Sequence, residues 1–202
     1  YGYSLPTTPR MVAEQQRGNL LAFTDYISPF NFTTEAVKAL LSTNDVSEGQ
    51  NWSQGALWPV VFKRAGYDVE VWSNQFVAGN NVFTEYTLNG FIYHPQIRPV
   101  AYNSVRGSEG TLDGALVSRA LAHAKANSCR HRLLLLHLNG QHFNAKDKYP
   151  DTSAFNVFSA ADIKSSAPWL TPSKRQQVAE YDNATRYNDH VLGMVFDAMR
   201  NM

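Results

Sequence analysis

The run Leu133-Leu134-Leu135-Leu136-His137-Leu138 constrains the fold more than any other stretch of the chain. A short, nearly continuous apolar run directly after a helical pattern is the mark of a strand buried on both faces of a sheet. The preceding helix is expected over about residues 111–127, where Leu112, Ala115, Leu116, Ala120 and Leu121 recur at helical spacing. The same order appears upstream: a helix from Gln54 to Ala65 stopped by Gly66, then an alternating strand from Tyr67 to Trp72. Leu20 to Ile27 reads as a further strand. It leads through Ser28-Pro29 to a helix carrying Ala36, Val37, Leu40 and Leu41, with Thr33 or Thr34 as its N-cap. Thr171-Pro172 supplies an N-cap and an N1 proline for a long final helix whose apolar stripe is read as Val178, Tyr181, Thr185, Leu192, Val195, Phe196 and Met199. Phe76 to Gly110 reads only as short strands and loops. Helices and strands that alternate without hairpin signals predict an α/β fold, a three-layer α/β/α sandwich.

The balance of residue types removes several function classes. With 44% hydrophobic residues in 202, the chain can build a core. Its 18 Lys+Arg against 17 Asp+Glu leave a formal charge of +1, too little to gather nucleic acid electrostatically. One cysteine, Cys129, forms no internal disulfide, and no Cys/His spacing matches a zinc finger. No apolar run approaches the roughly 20 residues of a membrane helix.

In an open α/β sheet the ligand crevice lies beyond the carboxyl ends of the strands, so the residues that follow each expected strand are the candidates for chemistry. They are Thr33, then Asn74 and Gln75, then the loop Asn139-Gly140-Gln141-His142. A threonine that opens a helix suits phosphoryl transfer, because the free N–H groups of the first turn favour an anion bonded to its oxygen. The hydroxyl needs a metal or a base beside it to attack at neutral pH. Each residue also has a plainer structural reading: Thr33 as a helix cap, His142 as a loop histidine, Asn74 and Gln75 as turn residues. Asp189-His190, inside the last helix, reads as a solvent-facing charge and a helix-face histidine rather than a metal pair.

Several segments together resemble the phosphoethanolamine transferases of the alkaline phosphatase/sulfatase superfamily. Tyr1-Gly2-Tyr3 with Pro6-Thr7-Thr8-Pro9 is similar to the family's G-Y-x-x-x-T-x-P loop. Ile27-Ser28-Pro29 through Thr33-Thr34-Glu35-Ala36-Val37 to Leu40-Leu41-Ser42 resembles its nucleophile segment. Val71-Trp72-Ser73-Asn74-Gln75 resembles the W-x-S-N-Q strand end, and Leu136 to His142 followed by Tyr149-Pro150 resembles H-x-x-G-S-H…Y-P, with Gln141 in place of the usual serine. Glu180-Tyr181-Asp182-Asn183 through Tyr187-Asn188-Asp189 resembles the E-Y-D-N…Y-x-D helix.

The resemblance implies a metal-dependent transferase that moves phosphoethanolamine from phosphatidylethanolamine to a lipopolysaccharide core sugar or lipid A. It implies Thr33 as the covalent nucleophile and a zinc contact, with Thr34 as the adjacent fallback. His142 is implied at the substrate phosphate or a second zinc, and Asn74 and Gln75 at the phosphoethanolamine group. It further implies Zn2+ as cofactor, a catalytic domain facing the periplasm from a bacterial inner membrane, and no nucleic-acid partner. The family's G-E-[ST] glutamate, its D-H-G pair and its N-terminal membrane helices are not among these residues. The expectation is therefore a single sulfatase-like catalytic domain fragment over 1–202, inactive alone, whose remaining zinc ligands lie outside the chain. The rival readings are a hydrolase or phosphoglycerol transferase of the same superfamily, or a non-catalytic binding domain of the same fold. A sulfatase proper is disfavoured by the lack of a C/S-x-P-x-R motif near Thr33.

Overall fold

The computed structural model describes residues 5–75, 88–107 and 111–201. Its elements, in chain order, are α1 (Pro9–Gln16), α2 (Thr33–Leu41), α3 (Trp58–Arg64), β1 (Asp68–Ser73), α4 (Leu88–Ile92), α5 (Arg98–Ala101), β2 (Ser104–Gly107), α6 (Asp113–Ala126), β3 (Arg132–His137) and α7 (Pro172–Arg200). Short 3-10 turns stand at Val46–Glu48, Trp52–Gln54, Ala145–Lys148 and Ala160–Asp162. The start of the Y-G-Y loop and residues 76–87 lie outside the described residues. The chain forms two compact units, each assembled from separated stretches: 1–22, 110–123 and 138–202 in one, 23–109 and 124–137 in the other.

The second unit holds the sheet. Its strands are parallel in the order β2-β1-β3, with Val71 opposite Val105 on one side and Leu135 on the other. This is the α/β class that the alternating pattern predicts. Val69 and Val71 of β1 are buried with Phe91, Ile92, Ala101 and Tyr102. Val37 and Leu41 of α2, Phe62 of α3, and Leu133 and Leu135 of β3 pack against the same cluster. Period-two alternation turns Glu70 and Trp72 to the opposite face. There the Trp72 indole donates to Glu70 at 3.1 Å, and Arg132 pairs with Glu70 at 3.2 Å. Arg132 also donates to the carbonyl of Ala124 at the end of α6.

Four expectations need correction here. Leu20–Ile27 is not a strand: it runs without regular structure and Leu21 through Ile27 are exposed, because an apolar run makes a strand only where a partner strand takes up its backbone groups. β3 is half-buried along its whole length rather than buried on both faces, since among the described residues only β1 pairs with it. The helix expected from Gln54 begins at Trp58 with Pro59 in its first turn, and Gln54 closes a separate 3-10 turn. Gly66 stops α3 as expected, at φ 87°. The loops expected between Phe76 and Gly110 include two short helices, α4 and α5, besides the strand β2.

In the first unit α7 is the main element. Thr171 caps it through its side chain to Lys174 N, with Pro172 in the first turn, as expected. Its buried face mixes Ala179, Ala184, Tyr187 and Val191 with polar residues and is not the apolar stripe expected from the sequence. Asp182, Asn183, Thr185 and Asp189 are buried, while Tyr181 and Met199 are exposed. The reason is that α7 receives loops and helix ends. Asn183 accepts from the backbone N–H groups of Val157 and Phe158 and donates to Phe158 O. Asp189 is not the solvent-facing charge expected: its carboxylate accepts from the backbone N–H of Arg10 (2.8 Å) and Met11 (2.9 Å), the free amides at the start of α1. Arg10 also pairs with Asp197, and Arg200 pairs with Glu14 of α1. His190 is exposed beside the ring of Phe155.

Candidate functional site

Thr33 is the first helical residue of α2 rather than its cap. The cap position is Phe32, in extended conformation, whose side chain makes no capping hydrogen bond. Thr33 is exposed at the start of α2, with Glu35 the acidic residue of its first turn. Thr34, the adjacent alternative, is buried. Exposure separates two threonines that sequence spacing alone leaves close rivals. Lys38 pairs with Glu35 at 2.9 Å and lies over the Trp52 ring, which holds the second turn of α2 in place.

Asn74 and Gln75 follow β1 at the carboxyl end of the sheet, where ligand crevices of such sheets form. Asn74 is buried, and its backbone N–H donates to His137 O, continuing the β1–β3 ladder by one residue. Ser73, fully buried, donates to the Gln75 carbonyl at 3.3 Å, and its Oγ lies 2.9 Å from His137 Nδ1. A hydroxyl has one proton and two lone pairs, so donation to Gln75 leaves Ser73 to accept from the Nδ1–H of His137. Ser73 and His137 thus fix the backbone that presents Asn74 and Gln75.

His142 sits on the loop that follows β3, in the other unit, and is exposed. Asp113, buried at the first turn of α6, aims its carboxylate at this loop and accepts from Asn139 N (2.9 Å) and Gly140 N (2.8 Å). Gly140 has φ 54°, a left-handed conformation that glycine takes without the Cβ penalty. Gln141 then donates to Thr185 of α7 at 3.2 Å, and His142 N closes a turn onto Asn139 O. The loop is held from both sides. Gly114 N donates to the Tyr187 hydroxyl at 3.1 Å, which ties the start of α6 to the same helix.

Thr33, Asn74 and Gln75 accordingly share one unit, with α2 and β1 on one core, and His142 belongs to the other. Ser73, His137 and Asp113, which position these residues, are not among the candidates read from sequence. Asp113 carries a signal of a kind, an acid in a helix first turn, but that signal reads equally as a complement to the helix dipole. Among the described residues no group of three or more His, Cys, Asp and Glu side chains is placed to hold a metal.

The chain resembles known proteins over its whole length. It is 27% identical over 208 aligned positions to the Kdo(2)-lipid A phosphoethanolamine 7''-transferase of Salmonella typhimurium, covering 100% of this chain and 34% of that protein. It is 28% identical over 208 positions to the phosphoethanolamine transferase EptA of Helicobacter pylori, covering 100% of this chain and 36% of that one. The fold matches the crystal structure of the C-terminal periplasmic domain of EptC from Escherichia coli, a complex with Zn, at a TM-score of 0.77 and 21% identity over 98% of this chain and 54% of that one. The chain thus spans about a third of the length of the curated relatives it matches. The sulfatase family model matches residues 1–202, and the chain belongs to the sulfatase family.

Proposed function

We propose that this chain is the nucleophile-bearing part of a phosphoethanolamine transferase, taking the group from phosphatidylethanolamine and passing it to a lipopolysaccharide core sugar or lipid A. The observation that carries the reading is Thr33, the exposed residue that opens α2. In the first step the Thr33 oxygen forms a bond to the donor phosphorus, the bond from phosphorus to the diacylglycerol oxygen breaks, and the threonine proton ends on that departing oxygen. In the second step an acceptor oxygen forms the new bond to phosphorus, the bond to Thr33 breaks, and the acceptor proton returns to the Thr33 oxygen. The first-turn N–H groups of α2 favour the phosphate oxygens in both steps. Asn74 and Gln75 are assigned to the phosphoethanolamine group and His142 to the phosphate. The relatives that carry phosphoethanolamine transferase names support the activity. The periplasmic origin of the structural neighbours supports a domain on the periplasmic side of a bacterial inner membrane. Among the described residues no helix is long and apolar enough to cross a membrane.

Zinc is the proposed cofactor, supported by the zinc complex of the EptC domain. Thr33 and His142 are the two residues proposed to contact it. Two donors fall short of the four that a zinc site takes, and the described residues hold no larger ligand group, so they do not by themselves fit a zinc centre. No step above is routed through the ion.

The test is mass spectrometry of the Thr33 peptide from the zinc-loaded full-length protein after incubation with phosphatidylethanolamine and no acceptor. A gain of about 123 Da, the phosphoethanolamine group in covalent linkage, is expected on Thr33. A protein that binds zinc and leaves the donor intact overturns the donor and the nucleophile together.

A further inference from the structure

On the face of the sheet turned away from the α2 core, charged and aromatic side chains follow one another from the amino to the carboxyl end. Arg132 pairs with Asp68 at 3.7 Å and with Glu70 at 3.2 Å, Glu70 accepts from the Trp72 indole, and Arg106 of β2 lies over the Trp72 ring, 5.3 Å from its centroid. The two arginines differ in how they are used. Arg132 is taken up by its two carboxylates and by the Ala124 carbonyl, whereas Arg106 is exposed and, among the described residues, joins no ion pair. We propose that Arg106 binds the anionic oxygens of a phosphate ester at this end of the sheet, and that the ester is the phosphodiester of the donor lipid. The proposal rests on the transferase reading for the identity of the ester, and on the strand geometry for the anion.

Register places the cation. Arg106 stands opposite Trp72 in the parallel β1–β2 pair and is followed in β2 by Gly107 alone, so it lies at the carboxyl end, where the crevices of parallel sheets open. Side chains alternate along a strand, and the backbone N–H of Asn74 continues the ladder to His137 O, so Asn74 falls on the face of Trp72 and Arg106. Asn74 and Arg106 are diagonal neighbours on adjacent strands, about 8 Å apart by the strand spacing and the rise of two residues, within reach of one ligand. Asn74 is the residue assigned to the phosphoethanolamine group, and both belong to the unit that carries Thr33.

The Trp72 ring sets the guanidinium in advance. Trp72 is 7% exposed and its indole N–H is held by Glu70 at 3.1 Å, so the surface beneath Arg106 is fixed before a ligand arrives. A guanidinium resting on a ring keeps its N–H groups for an acceptor, and its planar fork meets two oxygens of a phosphate at once. Binding therefore orders little of the protein. The charge also sets a polarity. Phosphoethanolamine is a zwitterion, and a cation beside Asn74 draws the phosphate and repels the ammonium, which turns the ethanolamine arm away from β2. The donor diester carries its negative charge before Thr33 attacks, so this contact is made in the ground state and governs donor affinity rather than the rate of the chemical step.

The experiment compares the zinc-loaded full-length wild type with Arg106→Gln and Arg106→Lys, both changes to an exposed side chain. In single-turnover formation of the Thr33 adduct without acceptor, the concentration of micellar phosphatidylethanolamine that gives half the maximal rate is expected to rise about tenfold in Arg106→Gln, with the maximal rate kept within about twofold. Arg106→Lys, which keeps the charge and loses the fork, should show a smaller rise. Inhibition of this step by inorganic phosphate should weaken in parallel, and discharge of the adduct to lipopolysaccharide should be unchanged. An unchanged donor requirement in Arg106→Gln overturns the proposal. So does an effect confined to discharge, which gives the anion to the acceptor. A wild type that forms no adduct overturns the transferase reading instead, and calorimetric titration with inorganic phosphate then decides the anion: binding weakened in Arg106→Gln upholds the site, and equal binding in both proteins overturns it.

Discussion

The Ser73 hydroxyl and Nδ1 of His137 lie 2.9 Å apart, joining the carboxyl ends of the central strand and its neighbour. Removing the hydroxyl leaves the half-buried imidazole nitrogen without this partner. Ser73→Ala should cost about 1 to 2 kcal/mol in urea unfolding. Faster amide exchange at Asn74, whose N–H is bonded to His137 O, should report the same loosening at the site.

Thr33 and Thr34 separate by burial. Thr33→Ala should abolish the phosphoethanolamine adduct and leave the unfolding midpoint unchanged within about 0.5 kcal/mol, as for most surface changes. Thr34→Ala should lower stability by about 1 kcal/mol and keep the adduct. The opposite pattern would transfer the nucleophile to Thr34.

Asp113→Ala removes the acceptor of two backbone N–H groups at Asn139 and Gly140. Carboxylate hydrogen bonds are the strong kind, so a loss of about 2 to 4 kcal/mol is expected by denaturant titration, with Asp113→Asn losing about half as much. Slower adduct formation in both variants would show that the clamp positions His142 and not the fold alone.

Asp182 is fully buried in α7, and among the described residues neither carboxylate oxygen has a hydrogen-bond partner. Burial pushes its pKa up to about 6. Between the ordinary carboxylate value and that point the folded chain holds a proton that the unfolded chain releases, so stability falls as pH rises through this window and stays lower above it. Asp182→Asn should remove this slope and stabilise the protein at pH 7 by about 1 to 2 kcal/mol. Thermal unfolding of both proteins across pH 4 to 8 measures it.

Legibility from sequence followed how local the cause was. Gly66 as the stop of α3, Thr171-Pro172 as the start of α7 and the two strands β1 and β3 are written in neighbouring residues, and all are found. Leu20 to Ile27 has a strand's apolar residues but no partner strand among the described residues, and pairing is not a local property. The polar residues on the buried face of α7 escaped because Asn183 and Asp189 are buried by what they hold, the 157–158 backbone and the start of α1. Among the site residues, type and position after a strand pointed to Asn74, Gln75 and His142. Ser73, His137 and Asp113 act through backbone geometry, which no spacing in the sequence encodes.

The carboxylate that receives the first amides of α1 stands 179 residues downstream, on Asp189. α1 has no side-chain cap of its own, and at eight residues it is below the length at which a helix persists alone in water. A ribosome makes α1 before α7, so α1 emerges without the group that completes it. Docking of α1 is accordingly a late event on the growing chain, and a nascent chain halted before Asp189 carries residues 9–16 unfolded and open to a chaperone or a protease.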